Sequence, residues 1–265
     1  QGKEAEEAVT GARPRFRFSL FGQVALVACE TGEDAALLEA VYGAFVCHDE
    51  PAPTADTPLA YTIGRGSAGG FLLRRDGSEP VLAANDGMLL FHFEKDLVVE
   101  LQKRRRDLYF LHAAALERDG RALLLVAESG AGKSTTAWGL LHHGFRYASD
   151  ELAPIDLATG LVHGFPHALC LKADPPAPYP LPAGVLRTPR SRHVPTGLLP
   201  APLAPFPLPL DSIVFLRYQP DLDDPAIRPM GAAEAAARLY VQALNPLAHP
   251  EDGLDAALRV VGGAR

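Results

Sequence analysis

The stretch from Arg121 to Gly144 limits what this chain can fold into more than any other part of it. Arg121 to Ala127 is an apolar run of strand length, and Glu128-Ser-Gly-Ala-Gly-Lys-Ser-Thr135 follows it without a gap. A helical pattern then reaches His143 and is closed by Gly144, a residue suited to the left-handed position after a helix. A buried strand, a glycine-rich turn and a helix in immediate succession are the parts of a layered α/β unit. Such a turn also aims backbone N–H groups and the positive end of a helix at one point, which suits an anion.

The residues of the turn narrow the anion to a polyphosphate. Gly130 and Gly132 let the backbone approach without Cβ obstruction, with Ser129, Ala131 and Thr135 completing the loop. Lys133 is placed to reach the β and γ phosphates as a point charge, and the Ser134 hydroxyl can hold Mg²⁺. ATP and Mg²⁺ are therefore the expected ligands. Ala127 stands where a glycine usually opens this pattern, which the fold tolerates unless φ is positive there. Asp150 lies 17 residues after Lys133, at the end of the next predicted strand (Phe145 to Ser149). Its carboxylate can serve as a metal ligand or as the base for an attacking hydroxyl, and the adjacent Glu151 can share either task.

Other candidates carry a functional and a plainer reading side by side. His112, on the strand preceding the loop strand, is either a satisfied core histidine or a site residue. His142 and His143 complement the dipole of the helix they end. Lys172 touches phosphate or is solvated. From about residue 174 the composition shifts, and 12 of the 24 prolines fall between Pro175 and Pro209. So many prolines predict a long irregular excursion with few backbone ladders. Arg187, Arg190 and Arg192, with His193, then form either a lid or substrate clamp or a solvated face.

The remainder bounds the class. With 265 residues and 48% hydrophobic content, disorder is excluded as the main state. Lys and Arg number 25 against 32 Asp and Glu, and the resulting charge of −7 argues against a nucleic-acid partner. Apolar runs are too short to span a bilayer. Cys29, Cys47 and Cys170 are far apart and contain no C-x-x-C pair, which suits reduced thiols. No basic-then-apolar leader opens the chain, so the expected location is cytoplasmic. Gln1-Gly2 reads as a tag remnant and residues 3–13 as a loose arm.

Strands are predicted at 15–20 and 23–28, and a helix from Thr31-Gly-Glu-Asp34 through Phe45. After a loose 48–58 comes a meander with strands near 59–64, 70–75, 80–84 and 88–93, turning at Arg75-Asp-Gly77 and Asn85-Asp-Gly87. A helix over 94–106 ends in Lys103-Arg-Arg-Arg106, which complements its dipole. Leu108 to Leu116 is a predicted strand joined to the loop strand by Asp119-Gly120. Ser212 to Arg217 is a further strand, and helices near 231–244 and 251–260 close the chain.

Leu111-His112 to Leu116, Asp119-Gly120, the strand into Ser129-Gly-Ala-Gly-Lys-Ser-Thr135, and Gly144-Phe-Arg-Tyr-Ala-Ser-Asp150-Glu151 together resemble the core of HPr serine kinase/phosphorylase. They resemble still more closely the HPr-kinase-like proteins of bacterial peptide-natural-product clusters. The likeness covers about residues 108–172. It implies a base and a metal contact at Asp150 and Glu151, where the family carries a pair of aspartates, and a site histidine at His112. The family's Arg-Gly-rich signature with its metal-binding Glu is replaced by His163-Gly-Phe-Pro-His-Ala-Leu-Cys-Leu-Lys172. The resulting expectation is an α/β chain in which a P-loop kinase domain with a mixed sheet (107–265) follows a small α+β domain (15–106). It would phosphorylate a hydroxyl, most readily a Ser of a peptide or protein. A small-molecule alcohol kinase and a non-catalytic nucleotide-binding regulator are the alternatives, and a homo-oligomer is possible.

Overall fold

The computed structural model describes residues 13–48, 56–66, 69–221 and 224–264; the expected tag remnant and nearly all of the arm lie outside them. Strands β1 (Arg15–Leu20) and β2 (Gln23–Cys29) form a hairpin through Phe21 and Gly22, both at positive φ. Thr31 then caps helix α1 (Gly32–Tyr42), its Oγ1 accepting the Asp34 N–H at 3.1 Å. This helix carries the chain across, so that β3 (Leu59–Arg65) runs parallel to β2. Strands β4 (Phe71–Arg75) and β5 (Val81–Ala83) return antiparallel, giving the order β1-β2-β3-β4-β5.

The fourth strand expected at 88–93 is instead part of a helix. Helix α2 covers Asp86–Arg104, and Asn85-Asp-Gly87 is its start rather than a turn, with Asn85 Oδ1 accepting from Met88 N at 3.1 Å. Met88-Leu-Leu-Phe read as a strand because the run is short and apolar, yet Leu89, Leu90, Phe93, Leu97 and Leu101 bury one continuous helical face. Two cations of the basic C-terminal run are paired with carboxylates and a third bonds a backbone carbonyl. Lys103 bonds Glu100, Arg104 bonds the Thr57 carbonyl, and Arg105 bonds Asp107.

The second sheet is mixed and is ordered β6 (Leu108–Leu111), β10 (Ala153–Asp156), β11 (Leu161–Val162), β15 (Leu208–Phe215), β8 (Arg121–Val126), β7 (Ala113–Arg118), β9 (Arg146–Ser149). β15 and β8 are parallel, and the other neighbours are antiparallel. The chain is thus an α/β protein with mixed sheets. Period-two alternation explains why these strands are apolar throughout. Ala114, Leu116 and Leu125 face helix α3 (Lys133–Leu141), whereas Ala113, Ala115, Leu124 and Val126 face α4 (Ala232–Val241) and α5 (Leu254–Gly263).

The strand expected over 108–116 is broken at His112. β6 pairs with β10, β7 pairs with β8 and β9, and the His112 N–H leaves the ladder for the Gln242 carbonyl at 2.8 Å. The outer edge of β6 is covered by Asn245, whose side-chain amide accepts from Phe110 N and donates to the Leu108 carbonyl, both at 2.9 Å.

The Pro-rich stretch is more regular than expected. Strand β14 (Arg192–Val194) pairs with β12 (Leu169–Leu171) on one side and β13 (Leu186–Arg187) on the other, and β15 begins at Leu208 rather than 212. Tyr179, Leu181, Val185 and Leu199 pack against Trp138 and Leu141 of α3, so the stretch wraps the helix that follows the glycine-rich loop.

The five-stranded sheet precedes residue 106 and the seven- and three-stranded sheets follow it, but the apolar core crosses this point. Phe165, with no exposed surface, meets the rings of Phe45 at 4.8 Å and Phe21 at 6.2 Å, and Leu108, Phe110, Leu152 and Ala168 join the same cluster. Among the described residues no helix is long and apolar enough to cross a membrane. Phe165→Ala should cost about 3–5 kcal/mol through the cavity it leaves. Because that core is shared, tryptophan fluorescence and far-UV circular dichroism in urea should shift together; separate midpoints would show that the halves unfold independently.

Candidate phosphate-binding and acidic site

The loop between β8 and α3 is shaped by two glycines in the left-handed region, Gly130 at φ +91° and Gly132 at φ +92°. A side chain at either would be strained by the backbone rather than by crowding, since an added Cβ meets nothing within 4 Å. Ala127, in contrast, does not have a positive φ, so replacing the first glycine costs the loop nothing in backbone geometry. Gly132 immediately precedes α3 at its N-terminal cap, and no side chain caps that end. The first-turn N–H groups are therefore available to an exogenous acceptor.

Lys133 is buried to 7% exposure, and its ammonium is the centre of a small polar cluster. Nζ lies 2.8 Å from His112 Nε2 and 3.4 Å from Glu151 Oε2, while His112 Nε2 lies 2.8 Å from the same Glu151 oxygen. His112 Nδ1 is 3.4 Å from Gln242 Oε1. Nε2 cannot accept from Lys133 and donate to Glu151 at once, so only one of these two contacts is a hydrogen bond in either tautomer. Burial pushes the Glu151 carboxyl upward, but the His112 hydrogen bond and the Lys133 charge outweigh it and hold Glu151 below the usual carboxylate range. The break at His112 in the β6–β7 strand places its ring here.

Asp150 stands behind this cluster. It has no exposed surface, and both of its oxygens are engaged. Oδ1 accepts from Tyr147 OH at 3.0 Å and pairs with His167 Nε2 at 2.9 Å, and Oδ2 accepts from Cys170 N at 2.8 Å. On its other side His167 Nδ1 lies 3.4 Å from Glu94 Oε2, which also accepts from Tyr42 OH at 3.0 Å. These His167 contacts are ion pairs by distance, without good hydrogen-bond alignment. Burial alone would lower the imidazole pKa, but Glu94, Asp150 and Glu151 together raise it to about 9. Nearby His193 goes the other way, to about 4, through burial and the repulsion of His167. Tyr42 and Tyr147 are pushed up by burial and by the carboxylates they bond.

The structure therefore joins Lys133, His112 and Glu151 directly, with the loop residues Ser129, Gly130, Ala131, Gly132, Ser134 and Thr135 beside them. Asp150 adjoins Glu151 in sequence, but its carboxylate is held by other groups. Lys172 does reach the loop, donating to Ser129 Oγ at 2.5 Å. Arg187 and Arg192 instead bind Asp174, at 3.0 and 3.2 Å, and Arg190 is exposed. His142 stacks on Tyr179 at 4.7 Å, and His143 bonds its hydroxyl. Glu94, His167, Tyr42 and Tyr147 went unnoticed in the sequence. The available signal was a histidine, His167, inside the otherwise apolar Phe165-Pro-His-Ala-Leu-Cys-Leu171 run.

Among the described residues no three or more His, Cys, Asp and Glu side chains gather as a self-sufficient metal site. Mg²⁺ bound with a nucleotide needs only a hydroxyl or one carboxylate beside phosphate oxygens and water, and Ser134 at the start of α3 fits that requirement. No protein-family model matches the chain, and no curated protein matches it.

The His167 pairings predict a pH dependence of stability. Its pKa is raised in the fold, so its contribution is complete below an unfolded value near 6.5 and is lost as pH rises through about 9. The shift corresponds to about 3 kcal/mol. Urea unfolding measured from pH 6.5 to 9 should show this decline in the wild-type protein and a flatter profile in His167→Gln; equal slopes would contradict it.

Proposed function

We propose that the chain is an ATP- and Mg²⁺-dependent kinase that transfers the γ-phosphoryl group to a hydroxyl, with a Ser of a peptide or protein as the acceptor. The observation that carries this reading is the buried Lys133 ammonium at the start of an uncapped helix, within 3.4 Å of the Glu151 carboxylate. A phosphate-binding loop alone would serve any nucleotide binder, but a carboxylate held against its lysine supplies the group that phosphoryl transfer to an alcohol needs.

Lys133 and the loop N–H groups bind and orient the phosphates. Ser134 would hold Mg²⁺ together with phosphate oxygens and water, where the ion supplies charge neutralisation at the transferring group. Glu151 is the carboxylate that faces the loop, so the acceptor proton is assigned to it rather than to Asp150. As the acceptor oxygen bonds to the γ-phosphorus, the bond to the ADP oxygen breaks and the proton passes to Glu151. His112 Nε2 lies 2.8 Å from both Lys133 Nζ and Glu151 Oε2, so the ring holds the two groups together by bonding one of them at a time. Lys172, bonded to the loop at Ser129, is placed to add positive charge there. An ATP-dependent role of this kind belongs in the cytoplasm.

Lys133→Ala should abolish nucleotide binding in calorimetric titration. Glu151→Gln should bind nucleotide within about threefold of the wild-type protein yet lose transfer about 10²- to 10⁴-fold. Radiolabelled ATP offered with Ser-containing peptides, then with free serine and other small alcohols, identifies the acceptor class. Full activity in Glu151→Gln would remove the assigned base, and label in no acceptor would favour a nucleotide-binding regulator.

A further inference from the structure

Four parts of the chain distant in sequence meet around His167 and the Asp150 carboxylate it pairs with, and two of them belong to the N-terminal half. Tyr147 and Asp150 flank the end of β9, in the turn that Ser149 Oγ closes by accepting from Leu152 N at 3.1 Å. His167 and the Cys170 N–H come from the segment entering β12. Glu94 comes from α2 and Tyr42 from the end of α1, and both lie on the far side of His167. The backbone reinforces the junction, because the Ala168 N–H donates to the Val41 carbonyl at 2.7 Å. The Tyr42 and His167 rings also stack with centroids 6.5 Å apart.

The order of the groups is acid–base–acid: Glu94, His167, Asp150. A single imidazole bridges a helix of the first sheet to the turn that carries Glu151, the next residue after Asp150. Buried charges hold their geometry only while each partner is present, so the bridge fixes the turn from both sides. Nothing in a phosphate-binding loop requires such a bridge. Its geometric effect falls on the direction in which Glu151 leaves the turn, which is toward Lys133 and His112.

We propose that His167 and Glu94 are positioning residues for Glu151, acting through the buried Asp150 carboxylate, and that the N-terminal half is thereby a working part of the transfer site. The inference rests on the kinase reading for its catalytic consequence, though not for its structural one. Asp150 is on this view an anchor. The Glu151 carboxylate is the group that meets the acceptor.

The test compares His167→Ala, His167→Gln and Glu94→Gln with the wild-type protein, measuring nucleotide affinity, KM, kcat and the thermal midpoint of each. His167→Ala should lower kcat at least tenfold while nucleotide affinity and KM for ATP change less than threefold. His167→Gln, which keeps an N–H donor, should recover part of that loss, and Glu94→Gln should show a smaller loss of the same kind. His167→Ala added to Glu151→Gln should lower kcat no further, because both changes act on one step. If His167→Ala fails to fold, the two glutamine variants carry the comparison. A folded His167→Ala with kcat within twofold of wild type would overturn the proposal, as would a parallel loss of nucleotide affinity; where His167→Ala does not fold, wild-type kcat in both His167→Gln and Glu94→Gln would do so. Should the wild-type protein transfer phosphate to no acceptor, the kinase reading fails, and crystal structures of His167→Gln and Glu94→Gln decide the anchor. Glu151 displaced from Lys133 in either would uphold it, and an unmoved Glu151 in both would overturn it.

Discussion

A carboxylate without solvent exposure must be matched in charge and in hydrogen bonds where it sits, and Asp150 imposes that demand on this fold. A tyrosine hydroxyl, a backbone amide and an imidazolium meet it. The imidazolium in turn requires a second acid, and Glu94 comes from helix α2 of the N-terminal half to supply it. Removing one member of such a buried set costs far more than the set contributes as a whole, because the charge left behind has no water to turn to. The junction between the halves is therefore polar at its centre and aromatic around it, with Phe21, Phe45 and Phe165 excluding solvent.

The second half of the chain was the more legible in sequence, for a physical reason. The loop from Glu128 to Thr135 works through backbone conformation, and glycine spacing writes backbone conformation directly into the sequence. The Asp119-Gly120 hairpin and the Gly144 cap were readable on the same grounds, each with its glycine at positive φ. The helix expected from 94 is present within α2, but 85–93 reads as a turn and a strand because Met88-Leu-Leu-Phe supports a strand as readily as a helix. Only the burial of Phe93, Leu97 and Leu101 along one face decides between them. Likewise, prolines between Pro175 and Pro209 limit long ladders but permit the two- and three-residue strands that β12 recruits.

The acidic pair shows where such reading ends. The sequence predicts Asp150 and Glu151 at a strand end facing the loop; both directly follow β9, but only the Glu151 carboxylate reaches Lys133. Neighbouring residues after a strand point in different directions, however, and one position in register decides which carboxylate faces Lys133 and which faces the interior. The partners that select between them, His167 and Glu94, lie 17 residues after and 56 before Asp150 in the chain. No local spacing rule connects such distances.

Helix α3 has a further property. It carries the chain's one tryptophan, Trp138, five residues beyond Lys133. The indole is 2% exposed, donates to the Tyr179 carbonyl at 2.9 Å and meets the His142 ring at 5.0 Å. The protein thus contains an intrinsic optical reporter, set between the glycine-rich loop and the proline-rich wrap. Its emission comes from one defined environment, so movement of the helix against the wrap is recorded without a label.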